Sequence, residues 1–158
     1  MHLLPLADEP GRALLADRDP AHRLALVAML RATHAGPAAA NPATAAAGLT
    51  LTEPAAGLLL AFLAAIDPHL GATVGGMKLV GAAEDLPVLA LSPTPVKTNA
   101  GKLAQVNPFD LDHFLEHFAG DPPPDPAVCA AVREVLAQLT RFYQALAAQD
   151  LGMLALPD

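Results

Sequence analysis

A chain of 158 residues is long enough to enclose one hydrophobic core and short for two, so a single domain spanning residues 1–158 is expected. Its apolar fraction of 53% comes with only 4% aromatics and no Trp, so the core must be built from Leu, Val and Ala, side chains that let helices approach closely. A net charge of −7 leaves no broad basic surface to neutralise phosphates, which argues against nucleic acid and against an anionic membrane face as partners.

The chain is punctuated by Asp or Asn followed by Pro, at Asp19-Pro20, Asn41-Pro42, Asp67-Pro68, Asn107-Pro108, Asp121-Pro122 and Asp125-Pro126. Such a pair supplies a capping oxygen and then a first-turn residue whose missing N–H needs no partner, so several of these pairs should open helices. A short helix is expected over Pro10 to Asp17 and a firmer one from Pro20 to about Thr33. The Ala/Pro/Gly stretch of residues 35–48 reads as a connector, with room for one short helix after Asn41. Pro54 to Ile66 is apolar on nearly every face, which predicts a helix at the centre of the core or in an oligomer interface, the central position being the one expected. Its run from Ala55 is far too short to cross a bilayer, which takes about 20 residues. Asp67-Pro68 then opens a further short helix that stops by Gly75-Gly76.

Two short apolar runs, Met77 to Gly81 and Val88 to Leu91, flank the polar Glu84-Asp85 and predict a hairpin. A lone hairpin is marginally stable, so it should pack on a helix or recruit a third strand, for which Leu3-Leu4 or Met153 to Leu156 are the candidates. Residues 93–107, with two prolines, a glycine and small polar side chains, read as a long loop. Beyond them, Leu111, Phe114, Leu115 and Phe118 recur at i, i+3, i+4 and i+7 and predict a helix from about Pro108 to Ala119. Val128, Val132, Val135, Leu136, Leu139, Phe142, Tyr143 and Leu146 form one stripe along a long last helix from Pro126 to about Gln149. The fold class this predicts is α+β, mostly helical: about five helices with a small hairpin or three-stranded sheet packed on them.

Three features carry chemistry. His113-Phe114-Leu115-Glu116-His117 resembles the His-x-x-Glu-His pattern of the inverzincin metallopeptidases, which implies Zn²⁺ held by His113 and His117 with Glu116 as the base. The likeness covers five residues; the nearest candidates for a third ligand, Asp110 and Glu134, stand in no matching motif. If Leu111, Phe114, Leu115 and Phe118 face the core, both imidazoles face solvent, and that reading, with no cofactor, is preferred. The second feature is Lys97-Thr98-Asn99-Ala100-Gly101-Lys102. All three lysines fall between residues 77 and 102, and on a loop Lys97, Thr98, Asn99 and Lys102 would suit a small anion or a protein partner. The third is the apolar excess, with a mean hydropathy of +0.38, which predicts an uncovered helical face and self-association as a homo-oligomer.

No Gly-x-Ser-x-Gly motif supports a nucleophile, and Ser92 is the only serine. Cys129 cannot pair within the chain and reads as a small packed thiol. The beginning of the chain shows no basic region before Asp8, so the cytoplasm is the expected compartment. The function expected from these residues is that of a non-catalytic interaction or regulatory protein, with a metal-dependent hydrolase as the alternative.

Overall fold

The computed structural model describes residues 1–35, 48–83 and 86–157. In chain order the elements are β1 (His2–Leu6), α1 (Asp8–Ala16), α2 (Pro20–Ala35), β2 (Leu49–Thr50), α3 (Ala55–Ile66), α4 (Pro68–Thr73), β3 (Lys78–Ala83), β4 (Leu86–Leu91), α5 (Pro93–Leu103), α6 (Pro108–His117), α7 (Pro126–Ala148) and β5 (Gly152–Leu156). The class is α+β as expected. The count differs: seven helices and five strands among the described residues, against about five helices and three strands.

The hairpin forms where the two apolar runs predict it, and it recruits both candidate strands. The sheet order is β2-β1-β5-β4-β3, antiparallel throughout, with β5 at the centre pairing β1 on one side and β4 on the other. Because side chains alternate across a strand, the central strands divide their residues between two faces. Met153 and Ala155 of β5 and Leu91 of β4 join the larger core under α3 to α7. Leu154 and Leu156 of β5 and Val88 and Ala90 of β4 join a smaller core with Leu14 of α1 and Val27 of α2. All five residues of β5 are buried for that reason. The sheet is the middle of three layers.

Gly152 opens β5 at the tightest point: a Cβ there would lie 2.5 Å from the Leu91 carbonyl oxygen and 3.4 Å from that of Leu6. Only glycine lets β5 slot between β4 and β1 at this register.

Four of the Asp/Asn-Pro pairs open helices. The Asp67 carboxylate accepts from the His69 and Leu70 amides, Asn107 from Phe109, Asp125 from Ala127, and Asp19 from Ala21. Asp121-Pro122 lies in the link between α6 and α7 instead. The Asn41-Pro42 pair, the helix expected after it and nearly all of the 35–48 connector fall outside the described residues. Along α7 six of the eight residues of the predicted stripe, Val132, Leu136, Leu139, Phe142, Tyr143 and Leu146, are buried in the larger core, and Val128 and Val135 are half-buried against it.

Residues 93–107 are not a long loop. Pro93 to Leu103 forms α5, with Pro93 and Pro95 in the first turn, where an amide hydrogen has no helical partner to lose. Val96, Asn99, Ala100 and Leu103 recur at i, i+3, i+4 and i+7 and are buried. No helix among the described residues is long and apolar enough to cross a membrane.

Candidate interaction surface on α3 and α6

Helix α6 is anchored by Leu111 and Leu115, both buried in the larger core, and capped by Asn107. Phe114 is half-buried and meets Phe62 of α3 with ring centroids 5.6 Å apart. Phe118 departs from expectation. It is 68% exposed because α6 ends at His117, and its φ of −126° carries it off the helical track that would have turned it inward. Phe109, off the predicted stripe, is 80% exposed.

Helix α3 buries Ala55, Ala56, Leu59, Phe62 and Leu63 and leaves Gly57, Ala61, Ala65 and Ile66 on an open face. It is therefore a core helix with one uncovered side. Where that side meets α6, Phe62, Ala65, Ile66, Asp110, His113, Phe114 and Phe118 line a hollow of about 310 Å³. Phe118 stacks on Phe114 at 6.4 Å and lies 5.8 Å from His113. The result is one apolar, aromatic patch with a hollow in it and a nearly bare phenyl ring, Phe109, one turn before His113.

His113 and His117 face outward, as the helical periodicity requires. Their rings meet edge to face at 4.6 Å and form part of this aromatic cluster. The Glu116 carboxylate comes within 3.9 Å of His117 Nε2. Glu134 lies on α7, engaged by Gln138 at 2.9 Å and Arg141 at 3.4 Å. Among the described residues no three His, Cys, Asp or Glu side chains stand close enough to share a metal ion. A His pair one helical turn apart is two donors, and a protein zinc site takes at least three.

The four residues nominated for an anion are dispersed by α5. Lys97 pairs with Asp150 at 2.8 Å, and the Thr98 hydroxyl donates to the Thr94 carbonyl. Asn99 is buried and accepts from the Thr73 hydroxyl. Lys102 donates to the Asp67 carboxylate at 2.6 Å, tying α5 to the start of α4. That ammonium, followed by the Leu70 amide, holds the Asp67 carboxyl below the usual carboxylate range. Because the folded pKa is depressed, the contact's stabilisation is whole above that range and is lost as the pH falls through the lowered value. Cys129 is half-buried with its Sγ 3.6 Å from the Pro124 carbonyl oxygen.

No family model matches the chain, and neither a curated protein nor a solved structure does.

Proposed function

We propose that the protein is a non-catalytic interaction protein that pairs with a second copy of itself through the α3/α6 face. The observation that supports this reading is the pairing, on one patch, of a projecting ring with a hollow that can receive one. Phe109 is 80% exposed and the neighbouring cavity measures about 310 Å³. A two-fold axis through such a patch places each knob over the other copy's hollow, the self-complementarity that a symmetric dimer needs. Leaving Phe109, Phe118 and Ile66 in water is unfavourable for a monomer, and contiguous exposed apolar surface of this kind marks association sites. Most of the hollow's lining is aromatic and aliphatic, and Asp110 is the single acid among the residues that line it.

Light scattering across a concentration series tests the proposal. The wild-type protein is expected to be a dimer at micromolar concentration. Phe109→Asp and Ile66→Asp are each expected to weaken association about 30-fold or more, as the loss of a central apolar contact does. Both positions are exposed in the monomer, so their circular dichroism spectra should match the wild type. A wild-type protein that stays monomeric and binds no apolar dye contradicts the reading.

A further inference from the structure

On the other side of α6 lies a second and larger hollow, about 480 Å³, which the self-association reading does not use. Its floor is the buried side chains of Leu103, Leu111 and Leu136. Its long wall is α7, which contributes residues from Arg133 to Gln144; at a rise of 1.5 Å per residue that wall runs about 16 Å. The volume falls in the range of small-molecule sites, about 300–1,000 Å³, and an apolar lining with a few polar groups is their usual composition.

The polar groups are not equivalent. Arg133 is fixed by its bond to Asp112 at 2.7 Å, which ties α6 to α7 and raises the guanidinium's already high pKa. Arg141 is two-thirds exposed, and its guanidinium reaches back along α7 to the Glu134 carboxylate at 3.4 Å, a longer contact than that of Arg133 with Asp112. This leaves donors of Arg141 for a ligand in the groove, and Gln144 adds an amide further along the wall. The geometry points to a binding site for a medium-chain carboxylate, its hydrocarbon along Leu103, Leu111 and Leu136 and its head group at Arg141. In an acidic chain a guanidinium at the mouth of an apolar groove selects an anionic head over a neutral or cationic one. A planar guanidinium also matches a carboxylate with two parallel hydrogen bonds.

Calorimetric titration of the full chain with decanoate, decanol and decyltrimethylammonium tests the assignment. Decanoate is expected to bind saturably with one site per chain, decanol about tenfold more weakly and the cation not measurably. Arg141→Gln should weaken decanoate about tenfold while leaving decanol unchanged. Ala137→Trp, which fills the groove from an exposed position on α7, should abolish both. Neither substitution touches the α3/α6 face, so both variants should associate as the wild type does, and failure of one proposal leaves the other standing. The assignment is overturned if decanoate shows no saturable binding, if decanol binds as tightly, or if Ala137→Trp leaves binding intact. Binding of an acidic amphipathic peptide without binding of decanoate would overturn it too, making the groove a protein-docking surface.

Discussion

Raising the pH above about 10 is expected to destabilise the protein progressively, because Tyr143 ionises in the unfolded chain before it does in the folded one, and the Tyr143→Phe variant is expected to resist. Tyr143 is the chain's only tyrosine and is fully buried on α7, where its hydroxyl donates to the Val74 carbonyl at 2.6 Å. Burial pushes its pKa up, and the neighbouring Asn99 side chain offsets only part of that. Above about pH 10, the ordinary tyrosine value, and below the raised one, the folded chain keeps a proton that the unfolded chain has released. Stability is therefore whole below pH 10 and falls as the pH rises, by about 1.4 kcal/mol per unit. Against a typical total of about 5–15 kcal/mol, two such units are a large share.

Tyr143→Phe removes both the ionisation and the hydrogen bond. At pH 7 the variant should be less stable by about 1–2 kcal/mol, the cost of leaving the Val74 carbonyl unpaired, and it should overtake the wild type as the pH climbs past about 11. With one tyrosine and no tryptophan, tyrosinate absorbance reports this residue alone. Its rise should coincide with loss of helical circular dichroism. A smooth titration near the ordinary value, with the helices intact, would contradict the buried placement.

Gly71→Ala is expected to cost about 3 kcal/mol, the upper end of what overpacking does. Gly71 lies in α4 directly against α3, where an added Cβ would press on the Ala64 Cα and sit 2.6 Å from the Ala64 N and Cβ. Backbone atoms have no rotamer to retreat into, so the two helices must move apart. That motion disturbs the Asp67 and Lys102 contact that closes the same corner. Urea denaturation measures the loss. Adding Ala64→Gly should recover little, because the Ala64 backbone remains in place; a full rescue would show that the crossing is set by side chains instead.

Much of this fold is legible in the residues. The hairpin, the long α7 stripe and the capping Asp/Asn-Pro pairs follow from local chemistry, and the need for a packing partner, a helix or a third strand, follows from the weakness of a lone hairpin. That the sheet takes both Leu3-Leu4 and Met153 to Leu156 is a long-range choice that no local pattern encodes. Helix α5 was legible in principle. Val96, Ala100 and Leu103 keep helical spacing, but two prolines and a glycine look like breakers unless the prolines are placed in the first turn. On α5 the side chains of Lys97, Asn99 and Lys102 point in different directions, toward Asp150, Thr73 and Asp67, which on a loop they need not do.

The candidate interface is visible only in part. Periodicity correctly turns His113 and His117 outward, yet it also sends Phe118 inward, because nothing local reveals that the helix stops one residue short. In α3 every residue is apolar, so no contrast in polarity marks which face stays open. The Arg141 groove depends on how α5 and α6 sit against α7, contacts between segments about 30 residues apart in the chain.

The claim that a second copy covers the α3/α6 face is tested most directly by mixing two preparations. One is isotope-labelled wild type. The other is unlabelled Cys129→Ser, Glu116→Cys protein carrying a nitroxide at position 116, an exposed site beside the patch. Intermolecular line broadening is expected to be confined to α3 and α6, around Ile66, Phe109 and Phe118. No broadening at millimolar concentration, or broadening centred on Leu79 and the β3 edge, would contradict it.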